Sequence, residues 1–555
     1  MITPFDYQKT GLNDIWRKQK THNRLLYQLS TGGGKTFIFS FLAKHWVKQK
    51  GSRILILCHR TELIDQTIAS LNKIGVTCEA VTSKTKKLNH LSNCYVAMVE
   101  TANNRIKKNP FFFKDVGLLI VDECHILIFD KIFPHFENAK ILGCTATPVV
   151  LKRIKYYKCK YCKTKHDEET ECCDTVTDEW SRPFTLSEIY EDIICGPNID
   201  ELIKRDRLVR EISFVENYID ESKLKTDSDG EFTSGSLDEQ YGSENAVFNV
   251  LLNYEKLCKG KKTLIFNSSA KVNLLLYEKF KEAGHNVRMF DSINKDASGN
   301  RKQVIDWFKD PNNRDCVLLN VGVFTTGFDV TDIEAIILNR ATASLSLFLQ
   351  MVGRGGRITD VIYKDNFILI DGGGNIARHQ EWSDPTRDWE RIFSEGIGKE
   401  RMKKEDVLDV NSCDSCGFLY PKSEPTCPEC GFEIKPKPKK EKSESENVLT
   451  PIREIPPPNG ERIYAYTAKN NENVNFAFKI LINQIVDMFI FYRVSAEQYK
   501  AAKQRKEVER KVKKMIQKCY FTLISKTDIS APNNRTIKYL LDKTINKLDI
   551  YYNLI

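Results

Sequence analysis

The feature that most limits how this chain can fold is a glycine run set between two different periodicities. Leu25–Leu29 is a continuous apolar run of strand length, Ser30-Thr31-Gly32-Gly33-Gly34-Lys35-Thr36 follows it, and Phe37–Lys48 then carries a helical pattern. Strand, glycine turn and helix in that order open a parallel α/β unit, because parallel neighbours need a helical crossover between them. Arg53–His59, Cys94–Val99, Leu118–Asp122 and Lys140–Cys144 repeat the strand signal, with helical stretches such as Glu62–Lys73 between them. A first domain is expected over residues 1–211, with helices on both faces of its sheet. A second series, Thr263–Asn267, Val287–Phe290, Cys316–Asn320, Ala335–Leu338 and Phe367–Ile370, marks a second domain over 212–395. The polar stretch Asp220–Ser243 near its start reads as a mobile loop. Two such lobes leave a cleft between them, and ligands favour the carboxyl ends of parallel strands.

The glycine run suits phosphate. Its backbone can curl so that N–H groups of Thr31, Gly32, Gly33 and Gly34 face phosphate oxygens, with a helix N-terminus behind them. Lys35 then reaches the β- and γ-phosphates and Thr36 ligates Mg²⁺. Leu29 occupies the place where the full G-x-x-x-x-G-K-T pattern has its first glycine. Farther on, Val121-Asp122-Glu123-Cys124-His125 ends an apolar strand. There Asp122 can hold Mg²⁺ and Glu123 can polarise an attacking water. In the second lobe Gln350-Met351-Val352-Gly353-Arg354-Gly355-Gly356-Arg357 starts on an apolar helix and presents two arginines, Arg354 and Arg357. A guanidinium brought across the cleft stabilises charge developing on a transferred phosphoryl group.

Together these segments resemble superfamily 2 helicases over residues 1–395, which implies two tandem RecA-like parallel-sheet lobes. By that resemblance Phe5, Tyr7 and Gln8 form the adenine-reading segment, Asp122, Glu123 and His125 a DECH form of motif II, and Thr145 and Thr147 motif III. Leu264–Ser269 resembles motif IV, Thr326-Gly327-Phe328-Asp329 motif V, and Gln350, Arg354 and Arg357 motif VI, with Arg357 as the finger. Gly327 and Asp329 join the nucleotide-side residues. The run Gly353–Arg357, the segment Ile370–His379 and a later four-cysteine module are similar to RadD-type helicases, relatives of the XPB branch that act in DNA repair and recombination. The resemblance implies an ATP-driven motor on DNA more than RNA, with repair or replication proteins as partners. Arg60, Thr101, Thr325 and Thr326 are the nucleic-acid candidates by position, and each could equally cap a helix. An RNA helicase, a restriction-system motor subunit and a non-motor nucleic-acid scaffold are the alternatives.

Cys413-x₂-Cys416-x₁₀-Cys427-x₂-Cys430 offers four thiolates to a tetrahedral, closed and therefore structural Zn²⁺ site, a zinc ribbon over 405–435. Cys159, Cys162, Cys172 and Cys173 form a second possible Zn²⁺ set, inside an insertion at about 152–184 that departs from the resemblance. Residues 436–460 are a charged, Pro-interrupted linker, and 461–555 form a mainly helical domain with a basic run at Glu497–Lys518. That last domain holds 18 Lys and Arg against 9 Asp and Glu, leaving the first 460 residues almost neutral, at 66 against 65. The surplus fits either a polyanion partner or a solvated face. No apolar run reaches membrane length and the N-terminus lacks a signal peptide, so a cytoplasmic protein of a bacterial or phage-infected cell is expected, without a membrane partner.

Overall fold

The computed structural model describes residues 3–396, except residue 90 and short runs within 160–177, 217–229, 292–299 and 323–329. Beyond 396 it describes 410–412, 419–421, 462–463, 466–467, 474–491, 499, 507–524 and 534–553. Twelve strands precede residue 196: β1 Arg24–Gln28, β2 Arg53–Cys58, β3 Cys78–Val81, β4 Cys94–Met98, β5 Val116–Asp122, β6 Lys140–Thr145, β7 Arg153–Lys158, β8 Lys165–His166, β9 Glu171–Cys172, β10 Thr175–Val176, β11 Asp178–Pro183 and β12 Asp192–Cys195. Seven of them make one sheet in the order β12-β1-β6-β5-β2-β4-β3, and every adjacent pair is parallel. Its central strands are apolar on both faces because helices cover both, as in β2, where Ile54–Cys58 are all buried. Sequence reading passed over β3 and β12. Both are edge strands of four residues, too short for a period to show.

The second lobe has six strands: β13 Arg210–Val215, β14 Thr263–Asn267, β15 Val287–Phe290, β16 Val317–Asn320, β17 Ala335–Asn339 and β18 Asn366–Asp371. Their order is β13-β18-β17-β14-β16-β15, again all parallel. The two sheets are the RecA-like lobes expected from the sequence. The stretch 220–243 departs from its expectation: it contains a helix, Ser234–Tyr241, and a bridge between Thr226 and Phe232. Leu237 and Tyr241 are buried in the second lobe's core, and Glu231 accepts hydrogen bonds from Thr342 Oγ1 at 2.8 Å and Ala343 N at 3.0 Å. A few anchoring side chains order a polar segment that composition alone would leave loose.

The insertion after Pro148 is a small sheet, β11-β7-β8, beside a β9-β10 hairpin. The tail is helical, with described helices Val474–Phe491, Glu507–Ile524 and Asn534–Asn553. Leu481, Ile485, Val512, Ile516, Leu540 and Leu548 meet in a core of their own, at the four- and eight-residue spacings of one helix face. This unit docks on the second lobe. Met488 enters that lobe's core, Lys261 Nζ lies 3.3 Å from Asp487 Oδ2, and Arg462 bonds Asp365 at 2.9 Å and also Asp206, in the segment that leads into the lobe. Among the described residues no helix is long and apolar enough to cross a membrane.

Candidate functional site

The glycine run joins β1 to the helix Lys35–Lys50. Gly32 and Gly34 take φ of +87° and +89°, a left-handed backbone that a side chain resists. Space is short as well: a Cβ on Gly32 would lie 2.6 Å from Leu208, and one on Gly34 2.7 Å from Gln8 Nε2. Leu29 is not among the left-handed residues and is buried in the core, so this turn does not need the pattern's first glycine. Tyr7 and Gln8 brace the loop from outside. Tyr7 Oη donates to Gly33 O at 2.9 Å and Gln8 Nε2 to the same oxygen at 3.3 Å, while Gln8 Oε1 accepts from Phe5 N at 3.0 Å. Phe5 is 42% exposed, and the guanidinium of Arg207 lies 3.6 Å from its ring centroid.

Asp122 ends β5, and Glu123 then adopts φ +53°, which turns the chain sharply and is costly for a non-glycine residue. The turn brings Glu123 Oε1 to 3.7 Å from Lys35 Nζ, with both side chains mostly buried. Burial pushes Asp122 up to about 7, helped by the Glu123 charge and opposed by Lys35. Burial also works to raise Glu123, but Lys35, then His125, His59 and Arg354, outweigh it and hold this carboxyl below its ordinary value. Two adjacent acids are thus driven apart, one towards protonation and one towards charge. Glu123 Oε2 is buried and accepts no hydrogen bond, with His125 Nδ1 3.5 Å away.

The second lobe closes the cleft. Val209 N donates to Gly356 O at 2.8 Å and Leu208 bridges Arg357, so the segment joining the lobes lies along the arginine run. A Cβ on Gly353 would come within 3.3 Å of Thr31. The resulting cleft, about 550 Å³, is lined from the first lobe by Thr31, Gly32, Gly34, Lys35, Thr36, Asp122 and Glu123, and from the second by Gln350, Arg354 and Arg357. Behind it His125 is clasped between the lobes. Its Nδ1 lies 2.9 Å from Thr145 Oγ1 and its Nε2 3.1 Å from Ser346 Oγ. Thr147 Oγ1 donates to Ser346 Oγ at 2.6 Å, Gln350 Nε2 donates to it at 3.4 Å, and Thr145 Oγ1 donates to Thr147 O at 3.0 Å. Thr145 Oγ1 spends its proton on Thr147 O and so accepts from Nδ1–H. Ser346 Oγ accepts from Thr147 and Gln350 and so donates to Nε2. The circuit is closed and suits a neutral His125, in keeping with the net downward shift of its basicity, which burial drives and Lys35 aids against the Glu123 carboxylate, whose Oε2 lies 3.5 Å from Nδ1.

Most of the nucleotide-side residues named from the sequence therefore converge. Gly327 and Asp329 lie outside the described residues, as do Thr325 and Thr326. Cys413, Cys416, Cys427 and Cys430 also lie outside them, although β19 Val410–Ser412 and β20 Leu419–Pro421, which flank the first two in sequence, pair antiparallel. Cys159 is buried and Cys162 exposed in the turn between β7 and β8, Cys172 ends β9, and Cys173 is outside the described set. Among the described residues no group of three or more potential metal ligands comes together. Sequence reading missed Ser346 and Arg207. Ser346 had one available signal, its place four residues before Gln350 on the same helix. Arg207 had none.

A family model described as "Type III restriction enzyme, res subunit" matches residues 1–150, and "Helicase conserved C-terminal domain" matches 245–359. A 51.5 kDa protein of a Lactococcus phage is 28% identical over 76% of this chain and 81% of its own length. The ATP-dependent helicase IRC3 of Saccharomyces cerevisiae is 29% identical over 66% of this chain, and a type I restriction enzyme endonuclease subunit of Escherichia coli is 22% identical over 66%. The chain spans only 51% and 46% of those two proteins. Among solved structures, the fragment of a type I restriction HsdR subunit from Vibrio vulnificus covers 72% of this chain and 68% of its own, at 18% identity and a TM-score of 0.47. With a helicase domain matched on each of two parallel-sheet lobes, the chain is a superfamily 2 helicase enzyme, an ATPase related to the type I and type III restriction subunits and to the Irc3-like helicases.

Proposed function

We propose that the cleft is one Mg²⁺–ATP site shared by the two lobes, and that its cycle drives the chain along nucleic acid, DNA in preference to RNA. One observation carries this: Lys35 and Glu123 of the first lobe face Arg354 and Arg357 of the second across a single cleft. The residues suit the ligand. The left-handed glycine turn presents backbone N–H groups, Lys35 and two arginines match a triphosphate, and the donorless Oε2 of Glu123 can receive a water proton. Bound Mg²⁺–ATP supplies the reactive phosphoryl group and the charge neutralisation its transfer needs.

The chain's own residues do the rest. Thr31–Gly34 hold phosphate oxygens, and Lys35 exchanges Glu123 for the β- and γ-phosphates. Thr36 and Asp122 would hold the magnesium ion, whose charge would favour the ionised Asp122 carboxylate against the burial that opposes it. Glu123 orients and deprotonates water. Arg357, with Arg354 and Gln350 beside it, meets the charge on the leaving phosphate and senses its loss. Phe5, Tyr7 and Gln8 form the base side, with Gly327 and Asp329 kept as candidates from the sequence. Opening and closing of the lobes then becomes stepping.

The domain division 1–211, 212–395, 405–435, 436–460 and 461–555 is part of this proposal. So are a structural Zn²⁺ on Cys413, Cys416, Cys427 and Cys430, and a second on the Cys159, Cys162, Cys172 and Cys173 set. The antiparallel pairing of β19 with β20, which flank Cys413 and Cys416 in sequence, supports the first of these. Placement beside the XPB/RadD branch, and so in DNA repair, recombination or replication, rests on the sequence likeness alone. A second reading, a restriction motor working with a nuclease partner, is favoured by the res-subunit match over 1–150. The test is ATP turnover with matched single-stranded, duplex and forked DNA and with RNA. DNA should stimulate most. Greater stimulation by RNA would reverse the polymer preference, and no turnover with any polymer would defeat the motor.

A further inference from the structure

One face of the first lobe, separate from the cleft, gathers charge that the ATP site does not use. Residues 82–115 carry seven Lys and Arg against two acids, within a first 460 residues that together hold 66 against 65. The two acids do little there: Asp115 pairs with Arg53 at 2.9 Å, and Glu100 is exposed on the first turn of the helix Val99–Lys108. Six of the cations, Lys84, Lys86, Lys87, Lys107, Lys108 and Lys114, are exposed, and none takes part in an ion pair among the described residues.

The seventh explains why the six form one surface. Arg105 donates to the carbonyls of Thr82 (3.1 Å) and Ser83, and its guanidinium also lies 5.9 Å from the Phe112 ring centroid. It therefore pins the lysine-bearing loop that leaves edge strand β3 against the turn that follows the helix Val99–Lys108. Leu88 from the loop and Phe112 from the turn pack on the same buried core, which fixes both segments from beneath. Phe111, three residues after Lys108 and three before Lys114, is 73% exposed, an apolar ring left in water.

We propose that this face is a second binding surface for single-stranded nucleic acid, with the lysines on the phosphate backbone and Phe111 stacking on an unpaired base. Six exposed cations without an ion-pair partner among the described residues suit a polyanion of regular charge spacing, and an exposed ring suits any base because every base offers a π-face. A strand held on the flank as well as across the lobes keeps its grip while the cleft is open. The inference rests on the nucleic-acid motor reading.

Two charge-reversal variants, K84E/K86E/K87E and K107E/K108E, and Phe111→Ala test it on the full chain. Binding of labelled oligothymidylate is followed by anisotropy over a salt series, beside basal and stimulated ATP turnover. Each reversal should weaken binding by about tenfold or more, and the triple one should flatten the log–log salt dependence by about 2, at roughly 0.7 per lost phosphate contact on a single strand. Basal turnover should stay unchanged. Phe111→Ala should weaken the single strand and leave a hairpin duplex unaffected. Binding within twofold of wild type in both reversal variants overturns the proposal, as does equal weakening of strand and duplex by Phe111→Ala. Wild-type protein that binds the strand without faster turnover overturns the motor reading instead, and leaves the variant comparison intact.

Discussion

Substituting Ser346 by alanine tests whether the lobes are coupled through the circuit around His125. The serine hydroxyl accepts from Thr147 Oγ1 at 2.6 Å and serves His125 Nε2 at 3.1 Å, and Thr147 is fully buried. Alanine leaves one donor, Thr147 Oγ1, and one acceptor, His125 Nε2, dry in the closed state, and both meet water once the lobes part; the third partner, Gln350 Nε2, belongs to a side chain that lines the cleft and can turn to water there. A buried polar group without a partner costs about 1–3 kcal/mol. Two such groups, with some relief from a water entering the space left by the hydroxyl, destabilise closure by about 2–4 kcal/mol, or roughly 30- to 700-fold in the closed population. An ATP-bound closed state that is more stable than the open one absorbs part of this. The nucleic-acid-stimulated kcat should therefore fall at least about tenfold, while ATP binding, measured with a fluorescent analogue, changes little. Ser346→Thr keeps the hydroxyl and should restore most of the activity. Thr147→Val removes the stranded donor, so the Ser346→Ala/Thr147→Val pair should lose less than the two single variants combined. A Ser346→Ala protein with stimulated kcat within twofold of wild type, or strictly additive losses in the cycle, refutes the coupling.

Three further outcomes are expected. Glu123→Gln should lower ATP turnover by at least about a hundredfold yet retain ATP binding, since the amide cannot take the water proton; near-normal turnover assigns that role elsewhere. Gly34→Ala forces a Cβ to 2.7 Å from Gln8 Nε2 at φ +89°, a strain of about 1–2 kcal/mol that should raise the KM for ATP roughly tenfold in steady-state assays. Cys427→Ser should release one zinc per chain, read by metal analysis, and leave basal ATP turnover nearly intact; wild-type protein without zinc removes the ribbon from the proposal.

The sequence determined what depends on neighbours in the chain. Apolar runs bounded by turns located both sheets, and Gly32 and Gly34 were legible because only glycine takes the backbone such a turn requires. Asp122 and Glu123 stood out as adjacent carboxylates at the end of an otherwise apolar strand. The edge strands β3 and β12 were not legible, at four residues each, nor was the order within 220–243, which depends on Leu237, Tyr241 and Glu231 finding partners in the second lobe. Only the tertiary structure could decide that Ser346 closes a circuit with Thr147, 199 residues away, that Arg207 lies over Phe5, and that Arg105 binds two lysine-bearing segments into one face. Helix and strand periods say which way a side chain points from its own axis. Whether it meets an acceptor, a ring or water is fixed by how the lobes pack, through contacts with no spacing in the chain to reveal them.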